Sequence, residues 1–201
     1  MALEFDHPPL IFTKTGTIGT EPLGFYEKLA DAYDADLVAH DDAMLELTPD
    51  GEIVDFDNGA LRRAASRMIN NQAIDALNRG VNVVYDTFLN SPRTRGDFRH
   101  RIVVPTGAVW VPISTAISLR TARDRIEERY KKDELPIPSD QWARPPMGLV
   151  QGIYKSVKWP GPDEPRLLVL EGERTTEEFL PEVAAFVEEC VAAAQVERAG
   201  E

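Results

Sequence analysis

Five short apolar runs, each leading into an amphipathic helical pattern, constrain this chain more than any other feature. The runs are LIF at 10–12, ADLVA at 35–39, VNVVY at 81–85, AVWV at 108–111 and LLVL at 167–170. Helical stripes occupy 22–30, 59–79, about 93–101, 114–132, 145–157 and 175–195. The longest has Leu61, Ala65, Met68, Ile69, Ala73, Ala76 and Leu77 on one face. Asn58 and Gly80 suit its two ends, and Thr175 or Thr176 suits the start of the last helix. Apolar run alternating with helix is the α/β pattern, with a mostly parallel sheet. The 201 residues suit one domain over 1–195 with a helical lid at about 114–146, followed by a fraying tail at 196–201. Residues 133–146 read as a Pro-rich connection.

In such sheets ligands bind beyond the carboxyl ends of the strands. Those ends carry 13–20 (TKTGTIGT), His40-Asp41-Asp42, Asp86-Thr87 and Pro112-Ile113. The first is the most telling. A strand, a loop of small residues and a helix opened by Pro22 bring backbone N–H groups onto an anion. The phosphate loop G-x-x-x-x-G-K-[ST] has that shape, but no Lys stands at its place here. Each feature also has a plain structural reading. The loop is a tight turn, Asp41 and Asp42 cap a helix, and Asp86 forms an Asx-turn.

Net charge is −12, which argues against non-specific coating of nucleic acid. The charge is uneven, however. Residues 90–132 hold ten Lys and Arg against four acids, a zone that suits a phosphorylated ligand or, alternatively, solvated helix faces. The single Cys190 excludes an internal disulfide and a Cys-rich zinc site, and points to the cytoplasm. His7, His40 and His100 lack ligand spacing. Trp110, Trp142 and Trp159 read as packing residues. No apolar run is long enough to span a bilayer, and the N-terminus lacks a signal-peptide pattern, so no membrane partner is expected.

Four segments in order carry a resemblance. VVYDTFLNSPRTRGDF at 83–98 resembles the D-T-N-L-x-x-x-x-R segment of P-loop kinases of the polynucleotide kinase and zeta-toxin-like group. GFYEKLADAYDADLVAHDDAM at 24–44 is similar to that group's first helix, second strand and acceptor-site Asp. VPISTAISLRTARDR at 111–125 resembles the entry to its Arg-rich lid helix. RPPMGLVQGIYKSVKWPGPDEP at 144–165 resembles the helix after the lid.

The resemblance implies a P-loop NTPase fold, three-layer α/β/α, with a five-stranded mostly parallel sheet and a helical lid. It implies a phosphotransferase that uses ATP or GTP with Mg²⁺ and acts on a hydroxyl of a nucleic acid, nucleoside or small metabolite. Asp41 would take the proton from that hydroxyl. Asp86 would hold the acceptor or metal, and Asn90, Arg93 and Arg95 would face the acceptor. Arg123, with Arg120 or Arg125 beside it, would meet the transferring phosphoryl group.

Three departures stand out. Phe88 replaces an Asn, and Met44 stands where the family often has an Arg. The loop is the third. Aligned through its helix, Pro22 and Leu23 fall on the Lys-[ST] pair. Aligned through the loop, Gly19-Thr20 fall there, leaving Thr20 as a Mg²⁺ ligand, Lys14 as the source of charge, and Thr15, Gly16, Thr17 and Gly19 around the phosphates. The alternative reading is a catalytically impaired relative that binds nucleotide or phosphate without turnover.

Overall fold

The computed structural model describes residues 7–17, 19–22, 24–49, 52, 54–55, 57–132, 147–161, 164 and 166–199. The expected connection at 133–146, together with Leu23, Asp50 and Gly51, lies outside the described residues. The elements run β1 (Leu10–Lys14), α1 (Phe25–Ala32), β2 (Ala35–Ala39), α2 (His40–Glu46), α3 (Gly59–Asn78), β3 (Asn82–Phe88) and α4 (Pro92–Phe98). After a π-helical turn at Arg99–Val103 come α5 (Val104–Thr106), β4 (Val109–Ala116), α6 (Leu119–Lys132), α7 (Met147–Ser156), β5 (Leu168–Glu171) and α8 (Thr176–Ala199).

The strands form one sheet in the order β2-β3-β1-β4-β5. All four pairings are parallel, which tightens the expected "mostly parallel". β1 lies centrally, with Ile11 opposite Val83 and Trp110. Side chains alternate across the sheet because strand periodicity is two. Ile11, Val83, Tyr85 and Trp110 meet α2, α3 and α4 on one face through Met44, Ala65, Ile69, Ala73 and Phe98. Leu10, Phe12, Val84, Val109 and Val111 meet α1 and α8 on the other through Phe25, Leu29, Phe179, Val183 and Phe186. Three layers result, as parallel strands buried on both faces require.

Local chemistry sets several ends. The Asn58 side chain accepts from the Ala60 and Leu61 N–H groups at the start of α3. Thr175 and Glu178 satisfy each other's backbone N–H groups ahead of α8. α8 continues through Ala199, past the expected end at Gln195, and Arg198 donates to the Gly107 carbonyl. α4 opens on a Ser91–Thr94 capping box. It does not run on as one α-helix, because Pro105 has no N–H with which to continue the ladder.

The largest departure concerns β4. The apolar run ends at Val111, yet the pairing continues through Pro112 to Ala116, and Ser114 lies opposite Val169 of β5. Helix α6 therefore starts at Leu119 rather than Ser114. This matters for the site, because it leaves Ser114 and Thr115 as strand residues beside the first loop.

One buried polar side chain ties three elements together. Asn82 Oδ1 accepts the Leu10 N–H at 2.8 Å, and Asn82 Nδ2 donates to the Tyr33 carbonyl at 2.8 Å. Asn82→Ala strands both backbone groups, and we expect a loss of about 1–3 kcal/mol of stability, read from the urea unfolding midpoint.

Candidate active site

The loop after β1 is stitched to its neighbours by polar groups on all sides. Thr15 N donates to the Ile113 carbonyl at 2.9 Å, and Thr15 Oγ1 to the Leu89 carbonyl at 3.2 Å. Asn90 grips Gly16 twice, accepting its N–H at 2.9 Å and donating to its carbonyl at 2.7 Å. Thr20 Oγ1 donates to the Thr17 carbonyl at 2.9 Å and accepts from Thr115 Oγ1 at 2.8 Å. Thr15, Thr17, Thr20 and Glu21 are all buried. Asn90, expected to face the acceptor, holds the loop in shape.

Residues of α6 and α7 cover the loop. Gly19 has φ +81°, and a Cβ there would lie 2.7 Å from the Ala122 carbonyl and 2.8 Å from Ile126 Cγ1. Only glycine allows α6 to approach this closely. Arg125 Nη1 donates to the Thr20 carbonyl at 2.7 Å, and Thr17 Oγ1 to the Val150 carbonyl of α7 at 3.4 Å. Of the described α6 arginines Arg120, Arg123 and Arg125, it is Arg125 that bonds to the loop. Arg123 is exposed, and Arg120 is 92% exposed and lies 3.9 Å from Asp124.

On the other side of β1 lies the ionic centre. The Lys14 ammonium pairs with Asp86 Oδ1. It stands 4.2 Å from the Phe88 ring centroid and 5.1 Å from that of Tyr26. Burial draws the Lys14 pKa down, but the charges of Asp86, Glu21 and Asp41 outweigh it and hold the ammonium above its ordinary value. Tyr26 donates to Glu21 Oε1 at 3.2 Å, and burial beside Glu21 and Asp86 raises its phenol well above the usual range. Asp41 and Asp42 occupy the first turn of α2, at the end of β2. Partial desolvation, then Asp41, Asp86 and Glu27, push the Asp42 carboxyl up. Lys14, Asp41, Asp42 and Asp86 thus share one electrostatic neighbourhood at the carboxyl ends of β1, β2 and β3.

Two predicted acceptor residues have other surroundings. Arg95 is buried and fully engaged. It makes a two-point ion pair with Glu164, at 2.5 and 2.9 Å, and donates to the Leu89 and Lys158 carbonyls at 3.1 and 2.8 Å. The pairing holds the Glu164 carboxyl below its usual range. Arg93 is 91% exposed, 4.0 Å from Asp97. Burial pushes the Cys190 thiol up to about 11, which leaves it protonated and unsuited as a nucleophile.

Glu21, Tyr26, Ser114, Thr115 and Val150 were not singled out from the sequence. Ser114 and Thr115 fall in the 114–132 helical stripe when the sequence is read alone, and only the extension of β4 makes them a hydroxyl pair at a strand end. Ser114 Oγ is fully buried, has no hydrogen-bond partner, and lies 3.8 Å from where a Cβ on Gly16 would be. A small box of hydroxyls around Gly16 suits phosphate oxygens. The fit to Mg²⁺ is narrower. Among the described residues no group of three His, Cys, Asp or Glu could hold a metal, and the Thr20 hydroxyl is already used on both sides.

Comparison with solved structures defines the class of fold. The structure is similar to a gluconokinase from Sinorhizobium meliloti, with a TM-score of 0.64 and 16% identity, covering 95% of this chain and 98% of that one. It is similar to the APS kinase of Mycobacterium tuberculosis solved with AMPPNP and APS, with a TM-score of 0.55, 15% identity, and coverage of 90% and 99%. It also matches a chain of the Pnkp1/Rnl/Hen1 RNA repair complex, with a TM-score of 0.56, 16% identity, and coverage of 77% and 45%. The fold is that of the P-loop kinases. No protein-family model matches the sequence, and no curated protein matches it either. Among the described residues no helix is long and apolar enough to cross a membrane.

The ionic centre makes an asymmetric prediction. Asp86→Ala leaves a buried ammonium without its carboxylate and should cost about 3–5 kcal/mol. Lys14→Met leaves Asp86 Oδ1 buried without its cation, but the side chain as a whole is 26% exposed and can turn toward water, and the change should cost less. Urea unfolding of the two variants checks the order.

Proposed function

We propose that the protein is a phosphotransferase that moves the γ-phosphoryl group of ATP or GTP to a hydroxyl of a nucleic acid, nucleoside or small metabolite. The observation that carries this reading is the placement of Lys14, Asp86, Asp41 and Asp42 at the carboxyl ends of three parallel strands, with Lys14 and Asp86 paired, beside a buried phosphate-type loop. The P-loop kinase fold supports it. The setting we propose is the cytoplasm, in keeping with the lone free cysteine.

In this reading Asp41, half-exposed at the head of α2, accepts the proton of the acceptor hydroxyl. The hydroxyl oxygen then forms its bond to the γ-phosphorus as the bond to the β,γ-bridging oxygen breaks, and the diphosphate leaves with that electron pair. Lys14 holds Asp86 in place through their ion pair. Mg²⁺, when bound, neutralises phosphate charge. Asp86 is the residue that would hold it, and Thr20 could join only by giving up its bond from Thr115. Arg123, exposed on α6, would reach the phosphoryl group only by turning inward.

A radiolabelled γ-phosphate assay over nucleic-acid, nucleoside and polyol acceptors tests the proposal. We expect transfer to at least one acceptor, and a loss of about 10²–10⁴-fold in Asp41→Asn with an unchanged melting temperature. Full activity in Asp41→Asn would remove that residue as the base. Nucleotide binding without transfer to any acceptor is the result a phosphate-binding module would give.

A further inference from the structure

The charges at the carboxyl ends of β1, β2 and β3 are unevenly exposed. The Lys14 side chain is 12% exposed, that of Asp86 26% and that of Asp41 49%. Asp42 lies open on the first turn of α2. A ligand entering from solvent therefore finds carboxylate oxygens more accessible than the ammonium.

Lys14 does not exhaust that negative charge. Asp86, Glu21 and Asp41 act on the ammonium strongly enough to keep it charged despite its burial. The charges that act on Asp42 are Asp41, Asp86 and Glu27, all of its own sign. His40 Nδ1 lies 3.8 Å from Asp41 and adds positive charge only when protonated.

The arginines of α4 and of the first turn of α3 are occupied or face solvent. Arg95 commits its guanidinium to Glu164 and two carbonyls. Arg93 is 91% exposed beside Asp97. Arg62 and Arg63 are exposed, and Arg63 Nη1 lies 3.2 Å from where a Cβ on Gly59 would be, along its own helix. Met44, the α2 side chain three residues after Asp41, is wholly buried in the core.

We propose that the acceptor is a small amino alcohol, a hydroxyl compound with a protonated amine, whose ammonium is held by Asp42 while its hydroxyl meets Asp41. This rests on the phosphotransferase reading and narrows its acceptor. Crowded carboxylates repel one another, and an ammonium among them replaces repulsion with charge-assisted hydrogen bonds. A phosphate or carboxylate on the acceptor would add to the repulsion instead. The ammonium keeps its proton throughout. The hydroxyl proton passes to Asp41, the hydroxyl oxygen bonds to the γ-phosphorus, and the bond to the bridging oxygen breaks with its electron pair leaving on the diphosphate. The product carries phosphate and ammonium on one molecule.

Two size-matched triplets test the proposal on the full chain, by calorimetry and by transfer of labelled γ-phosphate from ATP. One is serinol, glycerol and glycerate; the other is glucosamine, glucose and gluconate. In each, the amine should bind at least about 10-fold more tightly than the neutral compound, the order of a charged hydrogen bond. The acid should bind weakest, and kcat/KM should follow the same order. Asp42→Asn should remove most of the amine's advantage, and Asp42→Lys should reverse the order. Asp75→Asn, at an exposed carboxylate on α3, serves as the charge control and should keep it. Melting curves confirm that each variant is folded. Preference for a neutral or acidic acceptor, a nucleic-acid end included, overturns the proposal and leaves the phosphotransferase reading standing. An undiminished amine advantage in Asp42→Asn overturns it as well, as does binding of none of the six compounds. Amine-selective binding without transfer to any acceptor overturns the phosphotransferase reading and leaves a cation-binding cleft.

Discussion

A single buried ammonium governs the centre of this molecule. Lys14 ends the middle strand of the sheet, where removal from water penalises its charge. Asp86 on the adjacent strand offsets that penalty, and the faces of Phe88 and Tyr26 line the rest of its surroundings. The sheet adapts to this demand. Between Thr13 and Lys14 the register with β3 slips, so that Lys14 lies opposite Phe88 rather than Asp86. The chain then resumes its pairing through Leu89 N–H to the Lys14 carbonyl. The ends of β1 and β3 are joined both by this charge pair and by that backbone bond.

Strand order divides the surroundings of that pair by chemistry. β3 and β2 lie on one side of β1, and they bring carboxylates: Asp86, Asp41 and Asp42. β4 lies on the other side and brings hydroxyls: Ser114 and Thr115. The loop after β1 runs between the two. A strongly acidic protein can therefore keep a phosphate-compatible box a few residues from a group of carboxylates, because the central strand and its loop separate them.

The sequence revealed the frame better than the site. Apolar periodicity located all five strands, and Asn58, Gly80 and Thr175 marked helix ends, since those signals are local. The apolar signal of β4 fades at Val111, and only its neighbours show that pairing persists beyond it on both sides. Asn90 and Arg95 have residue types suited to a ligand, yet their partners are backbone groups and a carboxylate distant in sequence. Arg125 could not be told from Arg120 or Arg123 by type or spacing alone. Its distinction arises from Gly19, which sets the helix's approach, and that contact joins residues about a hundred positions apart. Non-local contacts of this kind leave no periodic trace.

The Arg95 clamp has a mechanical meaning. Arg95 binds Glu164 and the Lys158 carbonyl, and Lys158 N donates to the Asn90 carbonyl at 2.9 Å. Asn90 in turn grips Gly16. The far end of α7 is thereby moored to the floor beneath the loop, while α6 departs from β4 on the same floor. Glu164, Lys158, Asn90 and Gly16 are thus links of one polar chain, so a change at Arg95 reaches the loop through two intermediaries rather than by contact.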